Sequence, residues 1–268
     1  MSSSTIPVED STDLLGLGST SRLVLQMARR DIATLFRTPW IIISRSLAFI
    51  IQLFVFAYLM GGLITSYQGF FGYYAVGSVV TMVASISFII GYDIFEEAEE
   101  GLLDYLLTLP IPRREFIIGR ALGGAARTMI YTIPMFAIVA ILENFANPLS
   151  LLAAFLDMSL LAFGVTGLSI TTAVSVRSAN RFDVVLALLE LAVSRASTAL
   201  YPFKFLPDYV KAVAPYSPVT FAASSARAAL TTFSLDLLGL AGLIAFVAIF
   251  LGLGATFYFR RLEGGAYA

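Results

Sequence analysis

The chain has 268 residues, of which 58% are hydrophobic and 13% charged, and its formal net charge is −1. A mean hydropathy of +0.86 is typical of an integral membrane protein and excludes an ordinary soluble domain. The small net charge argues against nucleic-acid binding, and the absence of Cys and His excludes disulfides, imidazole chemistry and the usual zinc or haem ligands.

The N-terminal region divides into a polar tail and an amphipathic segment. Residues 1–20 are rich in Ser and Thr and lack the apolar core of a signal peptide, which predicts a disordered cytoplasmic tail. Residues 21–38 place Leu23 and Met27 on one side and arginines elsewhere, which predicts an interfacial helix on the membrane surface. Pro39 then allows the chain to turn into the membrane.

Six apolar stretches of about 20 residues each are long enough to cross a hydrocarbon core of roughly 30 Å as helices. The predicted spans cover residues 40–64, 70–92, 116–142, 149–176, 182–200 and 235–259. We therefore predict an all-α integral membrane protein whose six-span transmembrane domain occupies residues 39–268.

Basic residues predict the orientation, because Lys and Arg near span ends stay preferentially in the cytoplasm. Most arginines fall on the side that holds both chain ends, whereas Lys204, Lys211 and Arg227 fall on the other side. This asymmetry predicts a multi-pass protein of the cell membrane with both termini in the cytoplasm. On the outer side, four prolines interrupt the apolar segment 201–233, which predicts a re-entrant hairpin of short broken helices.

An acidic amphipathic segment at about residues 95–109 separates the second and third spans. A leucine stripe that begins at Leu102 and Leu103 gives it one apolar face, and acidic side chains occupy the other. This pattern predicts a short helix at the membrane surface that offers its polar face to a cytoplasmic partner.

The order of these features resembles the permease subunits of type-2 ATP-binding-cassette (ABC) exporters, over nearly the whole chain. The resemblance rests on the runs Tyr73-Tyr74-Ala75-Val76-Gly77, Glu100-Gly101-Leu102-Leu103-Asp104-Tyr105-Leu106-Leu107-Thr108-Leu109-Pro110, Tyr201-Pro202, Tyr216-Ser217-Pro218 and Phe259-Arg260-Arg261-Leu262-Glu263. A Gly-rich stretch at residues 119–124 and the charge of Arg195 depart from the usual pattern, and the second departure leaves the substrate type open.

The resemblance implies a permease dimer, expected to be a homodimer, with a cytoplasmic ABC ATPase subunit beneath each copy. ATP and Mg would be bound by those two ATPase subunits, so this chain would carry no cofactor, no metal and no enzymatic activity. Neither Lys lies in the Gly-Lys-Ser/Thr setting of a Walker A loop, which agrees with this division of labour. The residues that the resemblance assigns to ATPase coupling are Glu96, Glu97, Glu99, Glu100, Gly101, Leu102, Asp104, Tyr105, Arg113 and Arg114.

Arg45, Asp157, Glu190 and Arg195 are the residues that we assign as intramembrane charges, and such charges tend to face a partner or a water-filled cavity. Arg45 lies about 9 Å and Glu190 about 12 Å from the cytoplasmic edge, which predicts an ion pair within or between subunits. Asp157 and Arg195 lie at similar depths on the outer side and could also meet. Snorkelling of Arg45 to the headgroups and a proton relay are the alternatives.

Aromatic residues cluster at the predicted outer mouth of the second span, and they are Tyr67, Phe70, Phe71, Tyr73 and Tyr74. Such a cluster predicts an aromatic belt at the membrane interface, and the same rings could instead form a platform on which a substrate stacks.

The sequence therefore predicts an exporter permease that moves an amphiphile outward by alternating access, the cargo being a lipid, a lipid-linked glycan or a hydrophobic drug. The resemblance implies that the second and fifth spans line the route, and membrane lipids are expected partners. A secondary transporter that uses Glu190, Asp157 and Arg195 and is driven by an ion gradient is the alternative. An intramembrane lipid enzyme fits less well, since no catalytic constellation is visible.

Overall fold

A computed structural model describes residues 39–63, 69–100, 113–176 and 178–263, together with residues 29, 32 and 33. Within these ranges the regular structure is helical and contains no strand, which confirms the all-α prediction. The predicted tail at 1–20 and most of the predicted interfacial helix at 21–38 lie outside the described residues.

Among the described residues, six long or medium helices form the bundle, and several short pieces connect the last two. The bundle helices are α1 (Pro39–Leu63), α2 (Phe70–Glu99), α3 (Arg113–Leu142), α4 (Pro148–Ser175), α5 (Ala179–Glu190) and α8 (Leu237–Glu263). The short pieces are two π-helical turns (Leu191–Arg195 and Ala228–Thr232), two 3₁₀ turns (Phe203–Phe205 and Ala214–Tyr216), α6 (Asp208–Lys211) and α7 (Pro218–Arg227).

Four of the described helices are long and apolar enough to cross a membrane. Their apolar parts are Phe70–Glu97, Ile118–Leu142, Pro148–Ser175 and Leu237–Gly254, which coincide with the second, third, fourth and sixth predicted spans. A shorter apolar stretch, Ile42–Phe56, lies in α1 within the first predicted span.

The prediction of a fifth helix over residues 182–200 is wrong at its C-terminal end. Helix α5 has 12 residues and continues for five more as a π-helical turn, Leu191–Arg195, after which residues 196–200 are bent. Here the hydroxyl of Ser197 donates to the carbonyl of Ser194, and such local side-chain bonds compete with the helical ones.

Helix α4 lies at the centre of the bundle and packs against α2, α3 and α8. Close approach to α8 depends on Gly164, where a Cβ atom would overlap the ring of Phe246. On the other side of α4, the Ser169 hydroxyl donates to the carbonyl of Phe88 in α2 at 2.9 Å. Small residues and interhelical hydrogen bonds thus take the place of the hydrophobic effect between helices in lipid.

The two ends of the bundle differ in chemistry. Helices α3 and α4 are joined by the turn at residues 143–147, in which Asn144 has a left-handed φ of 56° and Asn147 caps α4. This turn and the broken segment 201–233 define what we call the hairpin end. The opposite end, where α2 finishes and α3 begins, is called the charged end. The short helices of segment 201–233 follow the breaks that its prolines predict, and its position in the membrane stays a prediction.

Candidate coupling and transport site

Two ion pairs join α2 to α3 at the charged end. The Arg120 guanidinium donates to Glu97 Oε2 at 2.9 Å, and that of Arg127 donates to Asp93 Oδ2. Asp93 and Glu97 are one turn apart on α2, while Arg120 and Arg127 are two turns apart on α3, so each pair of charges shares a helix face. These pairs fix the last turns of α2 against the start of α3.

The acidic residues at the end of α2 fall into two groups. Glu97 is partly buried by its contact with Arg120, whereas Glu96, Glu99 and Glu100 are exposed. The exposed carboxylates are therefore the ones that a cytoplasmic partner could reach. Of the other residues predicted for coupling, Gly101, Leu102, Asp104 and Tyr105 lie outside the described residues. The backbone of α3 begins with Arg113 and Arg114, whose side chains are likewise outside the description.

Among the described residues, the four charges predicted to be intramembrane form no ion pair with one another. Asp157 on α4 is buried and accepts a hydrogen bond from Ser225 of α7 at 2.7 Å. Arg195 is exposed, and so is Arg45, whose guanidinium lies 6.0 Å from the ring centre of Tyr131.

Among the ion pairs of the described residues, neither Arg45 with Glu190 nor Asp157 with Arg195 is joined. The pairing of Arg45 with Glu190 between subunits stays a prediction.

A clamp that the sequence did not predict ties the hairpin end together. The Arg227 guanidinium, at the end of α7, donates to the carbonyls of Tyr73 and Ala199 and stacks 3.5 Å from the centre of the Tyr73 ring. The Tyr73 hydroxyl in turn donates to the carbonyl of Thr198. This clamp connects the start of α2, the bent segment after α5 and the segment 201–233. The sequence signal for it is slight, a lone cation in an Ala- and Ser-rich helix.

The predicted aromatic cluster lies largely inside the protein in this structure. Phe70 and Tyr74 are almost fully buried and stack on each other at 5.9 Å between ring centres. Phe71 contacts the ring of Phe54 in α1, and Tyr73 belongs to the Arg227 clamp. Tyr67 lies outside the described residues. Contact of these rings with cargo stays a prediction.

Close to this cluster, Glu143 follows the end of α3 and faces α2. A Cβ atom on Gly72 would lie 2.5 Å from its carboxylate oxygen, so the glycine leaves room for the acid. Burial raises the pKa of the Glu143 carboxyl, since removal from water disfavours the charged form. A larger residue at position 72 would therefore collide with the Glu143 carboxylate.

A comparison with known families identifies the family of this chain. A family model described as "ABC-2 type transporter" matches residues 22–231, which is most of the chain. The chain belongs to the ABC-2 type transporter family. It is therefore a type-2 ABC transporter permease, which agrees with the long apolar helices of the described residues.

Two curated proteins from Mycobacterium tuberculosis resemble this ABC-2 permease. Both carry the name "Probable doxorubicin resistance ABC transporter permease protein DrrC", one from strain CDC 1551 / Oshkosh and one from strain ATCC 25618 / H37Rv. Each is 27% identical over 162 residues, which cover 58% of this chain and 58% of the relative. The chain thus matches less than two thirds of the length of these relatives.

Proposed function

We propose that this chain is the permease subunit of an ATP-driven exporter that moves an amphiphilic substrate across the cell membrane. Two copies would work as a homodimer on two ATPase subunits, with both termini in the cytoplasm and ATP and Mg bound by the ATPase. Family membership supports an ABC transporter permease. The relatives named for doxorubicin resistance favour a hydrophobic drug or a lipid as the cargo.

The six-span topology is part of this proposal. Helix α1 has 25 residues, about 38 Å at 1.5 Å per residue, which is enough to cross. The fifth crossing would combine α5, its π-helical turn and the bent residues 196–200. Non-helical backbone at membrane depth is tolerated only where protein covers it and satisfies its polar groups. Residues 198 and 199 meet this condition, because Thr198 N–H is bonded to Thr220 and both carbonyls are bonded by the clamp.

The exposed acidic end of α2 carries the proposal. Glu96, Glu99 and Glu100 project from a helix whose preceding turns are locked to α3 by the Glu97–Arg120 and Asp93–Arg127 pairs. A force that an ATPase exerts on this end would therefore be transmitted to two helices together, because the partly buried ion pairs resist separation.

The experiment reconstitutes the permease with its ATPase subunit in liposomes and measures ATP hydrolysis and transport. We expect Glu99→Lys with Glu100→Lys to lower cargo-stimulated hydrolysis about tenfold, since reversed charge opposes docking. The matched control is Lys211→Glu, which reverses a partly exposed charge at the hairpin end, far from the acidic end of α2, and should leave hydrolysis unchanged.

Unfolding is a separate cause of lost activity, so thermal unfolding of both variants is measured in parallel and should match the unmodified chain. Glu97 is left unmodified because its contact with Arg120 is structural. Normal ATP-dependent transport by the variant with both acids reversed, or transport by the permease without the ATPase, would contradict the proposal.

A further inference from the structure

A groove of about 580 Å³ lies between α3 and α4 at the hairpin end. Ile133, Phe136 and Ala137 of α3 form one wall, and Leu151 and Phe155 of α4 form the other. The turn between the helices closes one end of the groove. Volumes of this size are typical of sites that hold a small organic molecule.

The lining of this groove is apolar except for one side chain. Asn144, in the turn between α3 and α4, is the single polar residue among those that line it, and none of them is charged. A ligand that fits must therefore be hydrocarbon along most of its length and polar only near the turn, since an unpaired polar group buried in the groove would be costly.

The length of the groove matches one leaflet of a bilayer. Asn144 and Ile133 lie 11 residues apart along α3 and its turn, about 16 Å at 1.5 Å per residue, while half of a hydrocarbon core is about 15 Å. The groove thus runs from the level of the headgroups, where a turn is expected, to the middle of the membrane. An acyl chain of a lipid in that leaflet has the same extent and the same polarity profile.

The sequence explains why the groove is open. Ala137 leaves space between the larger walls, and Pro134 lies inside α3 one turn from Ala137. A proline within a helix has no amide hydrogen, so one hydrogen bond of the helix backbone is lost at that point. Helix α3 can therefore bend away from α4.

We propose that this groove binds one acyl chain of a membrane phospholipid, with the polar part of the lipid at Asn144. An amide offers both hydrogen-bond donors and an acceptor for a glycerol ester or phosphate. A lipid also fits better than a second copy of this chain. Arg45 on α1 and Arg195 after α5 are exposed charges that a partner subunit would have to cover, and neither element lines the groove.

The test uses the full-length chain in phosphatidylcholine vesicles that contain a small fraction of phosphatidylcholine with a diazirine in the middle of one acyl chain. After illumination, labelled positions are mapped by mass spectrometry. We expect labelling to concentrate within residues 133–155, and Ala137→Phe, which fills the groove, to reduce it about tenfold. Ala245→Phe is the matched control, because Ala245 is an exposed residue of α8 outside the groove and its variant should label residues 133–155 normally.

A second variant tests the polar contact without filling the groove. Asn144→Gly keeps the left-handed backbone conformation at φ 56° and removes the amide, so labelling should fall about threefold. Equal labelling of all exposed helix faces, or undiminished labelling in Ala137→Phe, would overturn the lipid site, and undiminished labelling in Asn144→Gly would overturn the role of Asn144. Cross-linking of Ala137→Cys to a second copy would show that protein occupies the groove instead. None of these readouts uses ATP, so failure here leaves the proposed export function standing.

Discussion

Ion pairs at the two ends of this molecule differ in burial, and therefore in their effect on stability. At the charged end, the Arg120 side chain is only 6% exposed and that of its partner Glu97 18%. At the hairpin end, Lys211 binds Asp208, whose side chain is 97% exposed. The pKa of Asp208 is lowered by the hydrogen bond from the Lys211 ammonium, yet water screens an exposed pair and leaves it little net effect on stability.

Removal of one partner from a partly buried pair should therefore destabilise the fold. We expect Arg127→Met to destabilise the chain by about 2–3 kcal/mol, because it leaves the Asp93 carboxylate partly buried without its guanidinium. Asp93→Leu combined with Arg127→Met should recover most of this loss, since no uncompensated charge remains. Thermal unfolding in detergent measures both variants, with Lys211→Met as the control that shows little change. A double variant that is less stable than Arg127→Met would count against the pairing.

Between elements, a close backbone contact joins α2 to the bent segment after α5. A Cβ atom on Gly77 would overlap the carbonyl oxygen of Ala199 and the guanidinium of Arg227. The backbone of α2 can approach residues 198–200 only because this position has no side chain. The clamp made by Arg227 and Tyr73 closes around the same point.

Substitution of this glycine should disrupt the junction. We expect Gly77→Ala to destabilise the chain by about 1–3 kcal/mol, because the methyl group meets backbone that cannot move independently. The control is Gly252→Ala in α8, which has no neighbouring atom within 4 Å and should be neutral or more stable by about 0.5–1 kcal/mol. Thermal unfolding distinguishes them, and equal stability of the two variants would exclude the close approach.

The helices that were predictable are those whose signal is local. Apolar length alone identifies α2, α3, α4 and α8, and the prolines identify the breaks in segment 201–233. The early end of α5 depends on side-chain bonds made by Ser197 and on Ser217, which donates to the carbonyl of Val193 from 24 residues away. Such contacts are decided by tertiary packing, which sequence periodicity does not contain.

The same limit applies to the site. The spacing of Asp93 and Glu97 on α2, and of Arg120 and Arg127 on α3, is compatible with complementary faces but does not specify which two helices meet. Arg227 binds a backbone carbonyl 154 residues away, and no local pattern indicates that contact. The exposed acids at the end of α2 were predicted as a group, and the structure separates Glu97 from the others.

For the whole molecule, the charges of Arg45 on α1 and Glu190 on α5 bear on the proposed dimer. Arg45 is exposed and Glu190 is partly exposed, their predicted depths in the membrane match, and no ion pair joins them within the described residues. A charge that faces lipid is costly, whereas a second copy could supply the opposite charge. In a two-fold dimer the contact would form twice, because residue i meets residue j and j meets i.

Charge reversal tests this arrangement. We expect Arg45→Glu and Glu190→Arg each to lower the association constant of the dimer roughly tenfold, because each places like charges together in a poorly screened site. The chain containing both changes should recover dimerisation, since the opposite charges meet again with their positions exchanged. Dimers are measured by disulfide cross-linking of Leu47→Cys, an exposed position of α1, in a chain that has no native cysteine. Lys211→Glu at the hairpin end is the control and should dimerise normally. If the double variant dimerises no better than the single ones, Arg45 and Glu190 do not face each other, and snorkelling of Arg45 to the headgroups becomes the better explanation of its exposure.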